Sequence, residues 1–206
     1  MDTAVLEILA SRICHDIISP VGAVHNGVEF LEEMGVEAGG DAIALIAHSA
    51  NNAAAKLQVF RLVYGQGGAD PSIRAEDVRK AFAGLIDADG KVKQDWDPFT
   101  LNRDEAPDGF CKMLMGCMLL AQESLPKGGT VKVEQPDNRT LLIIAEGTDA
   151  GSRPLIREAL AQKLTIEQID PRLVHPFVLS LLADKYGFKV EIGAQETGKV
   201  TYKLSF

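Results

Sequence analysis

The densest run of chemically capable side chains is Arg12-Ile13-Cys14-His15-Asp16-Ile17-Ile18-Ser19-Pro20-Val21-Gly22. An imidazole with a carboxylate beside it is a nucleophile or proton carrier whose tautomer a neighbour can fix. On a helix, His15 shares a face with Ser11, Arg12, Ile18 and Ser19, and two turns on with Gly22. These neighbours are mostly small or polar, so the ring is predicted to face outward toward a docking surface. Pro20 sits inside the same stretch. It denies the Asp16 carbonyl its helical hydrogen bond, at a usual cost of about 3 kcal/mol. Cys14 reads as small packing beside the histidine.

Apolar residues at Leu6, Leu9, Ile13, Ile17, Val21, Val24, Val28 and Leu31 follow helical spacing and predict one long helix. Glycines within Met34–Asp41 predict a turn, with Asp41 capping a second helix. That helix carries a near-heptad seam at Ile43, Ile46, Ala50, Ala53, Leu57, Phe60 and Tyr64. Two such helices form an antiparallel hairpin. Val5, Ile8, Ile18, Leu45 and Leu62 lie off these stripes, so the apolar surface is wider than one seam. A second hairpin would cover it, and this chain has none to spare; a homodimeric four-helix bundle is expected. The linker candidate is Gly65–Ser72, which divides a hairpin domain (1–66) from an α+β domain (72–206).

In the second segment, helices are predicted over Ala75–Ile86, Ala106–Leu125 (Pro107 in its first turn), Arg157–Leu164 and Pro171–Tyr186. Strands are predicted over Lys91–Trp96 (after an Asp89-Gly90 turn), Thr130–Glu134, Leu141–Glu146, Phe188–Ile192 and Lys199–Phe206. Leu141–Glu146 is a continuous apolar run, as expected of a central strand. His25 and His48 read as surface or interhelical residues, and His175 as a capping or surface residue. Met113, Met115 and Met118 read as core filler.

Composition excludes several classes. The chain has 206 residues, 46% hydrophobic and 24% charged, enough to bury a core. A net charge of -8 without a Lys/Arg cluster excludes nucleic acid as a partner. The three cysteines lack metal-ligand spacing and cannot all pair, which fits a reducing cytoplasm. No signal peptide is apparent, and Met113–Ala121 is less than half a membrane span.

His15-Asp16-Ile17-Ile18-Ser19-Pro20 resembles the H-box of two-component sensor kinases: histidine, an acidic residue next, proline at the fifth position after it. The longer string from Arg12 through Val24, with Asn26-Gly27 following and Phe60-Arg61-Leu62 on the second helix, is closer to the ChpT family of bacterial histidine phosphotransferases. The resemblance implies a dimeric phosphorelay intermediate. His15 would accept a phosphoryl group from a receiver-domain aspartate and pass it to another receiver. The receivers implied are those of a hybrid histidine kinase and of response regulators. Asp16 would assist at the other ring nitrogen. Arg12 would attract the phosphate or an acidic receiver surface, or remain a solvated helix arginine. Ser19 would bond a phosphoryl oxygen, or else bond back to a helix carbonyl. With Ile18, Gly22 and Asn26 these residues would shape the docking site. The receiver brings its own Mg²⁺, so no metal is expected here.

The order of the second segment resembles the ATP-binding domain of sensor kinases, and Leu125–Val131 looks like the end of their asparagine-bearing helix. The asparagines themselves fall on Gly116 and Leu120, which cannot hold a metal. Ala145–Gly151 does not fit an Asp-x-Gly-x-Gly motif, and Asp170–His175 has no glycine for a phosphate loop. A kinase-like α/β sandwich without ATP is expected. A rival reading is a non-catalytic paralogue that sequesters a kinase or receiver.

Overall fold

The computed structural model describes residues 3–35, 39–88, 90–104 and 106–206. Part of the expected Met34–Asp41 turn, and Asp89 of the Asp89-Gly90 turn, lie outside the described residues. Helix α1 spans Thr3–Met34 and runs through Pro20; α2 spans Gly39–Val63. Asp41 falls within the first turn of α2, where its charge still complements the helix dipole, and not at the cap. Lys56 reaches Asp16, and Gly27 lies against Ile46, so the two helices run antiparallel.

Small residues let the two helices approach, with Ile46 packed against Gly27 between them. A Cβ on Gly27 would lie 2.6 Å from Ile46 Cγ1, and Ala42, Ser49 and Ala53 are the buried positions facing the hairpin's interior along α2. Part of the expected seams is turned out: Leu6, Val21, Val28, Ile43 and Leu57 are exposed, while Leu9, Ile13, Ile17, Val24, Leu31, Ile46 and Phe60 are half-buried. Among the described residues, eight of the ten exposed large hydrophobics lie on α1 and α2: Leu6, Ile18, Val21, Val28, Phe30, Ile43, Leu45 and Leu57. Helical periodicity marks apolar surface without saying what covers it, and among the described residues these side chains are left exposed.

Beyond the hairpin come α3 (Ala75–Asp87), β1 (Val92–Asp95), α4 (Phe110–Glu123), β2 (Gly129–Asp137), β3 (Thr140–Glu146), α5 (Ile156–Leu160), α6 (Val174–Tyr186), β4 (Lys189–Glu196) and β5 (Lys199–Ser205). The sheet order is β1-β2-β3-β5-β4, with β1 parallel to β2 and the other pairs antiparallel. β3 is central, as its apolar run predicts. Its Ile143 pairs with Val133 on one side and Tyr202 on the other. Gly109, at φ +87°, precedes α4 and leaves Pro107 ahead of the helix. Asp170 accepts the amides of Arg172 and Leu173 through its side chain, so α6 starts at Val174 and not at Pro171.

α4 is buried at every position from Phe110 to Ala121, because the sheet, α2, α3 and α6 all pack on it. The end of α2 joins this core: Val59, Leu62 and Val63 cluster with residues of α3 and α4. The Gly65–Ser72 segment is packed down. It makes a short 3-10 turn at Gln66–Ala69, and a Cβ on the buried Gly68 would overlap the Leu62 carbonyl. Lys112 Nζ donates to the Val63 and Gly65 carbonyls at 2.7 Å each, satisfying open carbonyls at the buried end of α2. Burial, then Lys185, lowers the Lys112 pKa to about 8.

α6 docks on α4 through Gly116, where a Cβ would overlap Leu179. His175 is fully buried here and is not a surface residue. Its Nε2 lies 3.0 Å from the Gly116 carbonyl, so that nitrogen carries the proton and donates. Nδ1 then accepts from the Tyr64 hydroxyl at 2.8 Å. Burial, then Arg12, lowers the His175 pKa to about 3, against the pull of the Gly116 bond. The folded state thus holds a neutral ring, while the unfolded chain binds a proton below a pH of about 6.5. The stability from this group is complete above that value and falls as pH drops toward 3, by up to about 1.4 kcal/mol per pH unit. Urea unfolding at pH 7 and pH 4.5 is expected to show the loss, and His175→Gln is expected to shrink it. An equal acid loss in both chains would contradict the assignment.

Candidate functional site

His15 stands near the middle of α1 with its side chain 87% exposed. Its Nδ1 is 3.5 Å from Asp16 Oδ1, longer than a formed hydrogen bond and within orienting electrostatic range. A proton on Nδ1, facing the carboxylate, leaves the Nε2 lone pair outward. Ile18 (68% exposed), Ser19 and Asn26 are exposed, and a Cβ built on Gly22 would meet nothing within 4 Å. Helical spacing gathers these with His15 on one open face.

Arg12 takes a different position. Its side chain is only 17% exposed, and it pairs with Glu123 at the end of α4. Its Nη1 also donates to the Pro171 carbonyl at 3.1 Å. Burial works against the Arg12 charge, but Glu123, with smaller help from Tyr64 and Asp16, leaves its pKa above the ordinary value. Burial raises the Glu123 carboxyl, with Arg12 and Arg153 pulling it back. The charge of Arg12 is thus met inside the chain and fastens α1 to the second segment.

Between α1 and the loops before α5 and α6 lies a cleft of about 520 Å³. It is lined by Ser11, Arg12, His15, Asp16, Glu123, Arg153, Pro171 and Arg172. Arg153 and Arg172 are exposed. Sequence reasoning missed both, and also Glu123, Tyr64 and Lys56. The two arginines sit in Ser152-Arg153-Pro154 and Pro171-Arg172, ordinary turn sequences with no local sign of proximity to His15. Among the described residues, no group of three or more His, Cys, Asp or Glu could hold a metal ion, and no helix is long and apolar enough to cross a membrane.

An outward imidazole oriented by a carboxylate, on a helical hairpin buttressed by a mixed sheet domain, suits a group carried by histidine. Residues 75–198 match the family model of the histidine phosphotransferase C-terminal domain. The chain is 35% identical over 191 residues to protein phosphotransferase ChpT of Brucella abortus (strain 2308), covering 91% of this chain and 88% of that protein. It also superposes on a solved bacterial phosphotransferase with a TM-score of 0.76 and 31% identity, over 100% of this chain and 97% of that one. The chain belongs to the histidine phosphotransferase family, and within it to the ChpT-like members.

Proposed function

We propose that His15 Nε2 is the phosphoryl carrier of a phosphorelay, loaded by one receiver domain and unloaded by another. The observation that carries this reading is the fully presented imidazole with Asp16 at its other nitrogen. The Nε2 lone pair attacks the phosphorus of a receiver's aspartyl phosphate. The N–P bond forms as the P–O bond to the aspartyl oxygen breaks, and the aspartate leaves as a carboxylate with the bonding pair. Nδ1 keeps its proton, and the Asp16 carboxylate balances the positive ring. Transfer to the aspartate of a second receiver is the same step reversed.

The lining of the cleft supports an anionic visitor. Arg12, Arg153 and Arg172 outnumber the carboxylates Asp16 and Glu123. The exposed cations for the receiver are Arg153 and Arg172, while Ile18, Ser19, Gly22 and Asn26 form its docking face. Mg²⁺ belongs to the receiver's own acidic site, and this chain contributes no ATP chemistry. The positions where a kinase would hold metal, Gly116 and Leu120, are buried in α4, with Leu179 and His175 packed at Gly116. The test is a transfer assay: labelled phosphoryl moves to the chain from a phosphorylated receiver and not from ATP. No uptake from any receiver of the host would overturn the reading.

The exposed apolar face of the hairpin supports a homodimer in which two hairpins form a four-helix bundle. Light scattering is expected to give twice 22.2 kDa, and Val28→Glu with Ile43→Glu to give a monomer. A monomeric wild-type chain at micromolar concentration would contradict this. The free thiols of Cys14, Cys111 and Cys117 fit a cytoplasmic setting.

A further inference from the structure

Pro20 has no N–H, so the carbonyl four residues back, that of Asp16, loses its usual donor within α1. The helix nevertheless continues from Thr3 to Met34, with Pro20 buried inside it. The missing donor comes from the other helix: Lys56 Nζ donates to the Asp16 carbonyl at 3.1 Å. A hydrogen bond from an ammonium is stronger than the amide bond it replaces. It also differs in origin, since it ties the turn of His15 to α2 and not to the ladder of α1.

His15 lines the cleft described above, and Lys56 lines another, of about 260 Å³, with Asn52, Phe60 and Leu119. Arg12, Asp16 and Glu123 border both. Lys56 therefore acts from behind this shared wall, away from the reacting nitrogen. We infer that Lys56 is a positioning residue for phosphotransfer: it supplies the hydrogen bond that Pro20 abolishes and thereby fixes the turn carrying His15 and Asp16. The inference rests on the reading of His15 as the phosphoryl carrier. Asp16 is the lever, because its backbone is what Lys56 holds and its side chain is what faces His15 Nδ1. A shift of this turn moves the imidazole and its orienting carboxylate together.

The test is a double-mutant cycle of wild type, Lys56→Met, Pro20→Ala and the double variant. Transfer from a phosphorylated receiver is followed over a range of receiver concentrations, so the rate at saturation is separated from the half-saturating concentration. Lys56→Met is expected to lower the saturated rate about tenfold while the half-saturating concentration changes less than about twofold. In the Pro20→Ala chain, residue 20 regains an N–H for the Asp16 carbonyl, and the same lysine substitution is expected to change the rate less than about twofold. Lys56→Arg, which keeps a charged donor, is expected to stay within about threefold of wild type.

A second readout does not depend on phosphotransfer. Asp16-Ile17 is the one Asp-Ile step in the sequence, so carbonyl-¹³C aspartate with ¹⁵N isoleucine isolates the Asp16 carbonyl in one NMR peak. That peak is expected to shift on Lys56→Met and to shift less in the Pro20→Ala background. Equal rate losses in both backgrounds, a change in half-saturation alone, or no change would overturn the role of Lys56. Failure of Lys56→Met to fold in both backgrounds would do so too. If wild type acquires no label while the carbonyl peak behaves as expected, the reading of His15 fails and the Lys56 clamp stands.

Discussion

His15→Ala is expected to reduce phosphoryl uptake from a phosphorylated receiver to background, at least about a thousandfold below wild type. No other side chain on the open face can replace it, since Ile18, Ser19, Gly22 and Asn26 offer no nitrogen nucleophile of comparable strength. The fold should not notice the change. The imidazole is 87% exposed, and its polar neighbour is Asp16, at 3.5 Å. Exposed substitutions of this kind stay within about 0.5 kcal/mol of wild type. Receiver binding should largely survive, because the docking face and Arg153 and Arg172 remain. Thermal unfolding and a titration with unphosphorylated receiver check these two points beside the transfer assay. Uptake by His15→Ala at the wild-type rate would place the acceptor elsewhere.

Arg12→Met is expected to destabilise the chain by about 3–5 kcal/mol. Arg12 and Glu123 are 17% and 15% exposed, so removing the guanidinium strands a carboxylate away from water and leaves the Pro171 carbonyl without its donor. Adding Glu123→Leu should recover most of the loss, since the stranded charge goes with it. The direction with pH follows from Glu123, whose carboxyl burial already raises. A carboxyl raised in the folded state holds its proton more tightly there than in the unfolded chain. Its contribution is therefore most favourable below the unfolded value of about 4.3 and is lost as pH rises through the folded value. Without Arg12 that folded value climbs further, so the gap between wild type and Arg12→Met should be narrowest near pH 4.5 and wider at pH 8. Denaturant midpoints of the two chains across this range measure it. A gap that narrows as pH rises would contradict the account of the pair.

The parts of this molecule that could be read in the sequence are those set by local spacing. The hairpin, the five strands and the His15–Asn26 face all follow from periods of 3.6 and 2 within short windows. What escaped reading joins distant segments. Arg12 and Glu123, like Tyr64 and His175, are 111 residues apart, and neither pair leaves a local trace. The apolar stripes marked the two helices but not which of their residues would meet. The hairpin closes on Gly27, Ala42, Ser49 and Ala53, small residues that let the helices approach, while Val28 and Ile43 face outward. Periodicity of large residues does not separate Ile46, which packs against Gly27, from Val28 and Ile43, which face outward. Pro20 was legible as a broken hydrogen bond, but the lysine that repairs it lies on another helix.

The claim that His15 carries the phosphoryl group is tested most directly by locating that group on the loaded protein. The chain is incubated with a phosphorylated receiver in the absence of nucleotide, digested at alkaline pH, and its peptides are fragmented by electron transfer to keep the N–P bond. The result predicted is a single phosphoryl group on His15, lost in acid and retained in alkali. A phosphoryl group on another residue, or an unmodified His15 peptide while the receiver discharges through the chain, would contradict it.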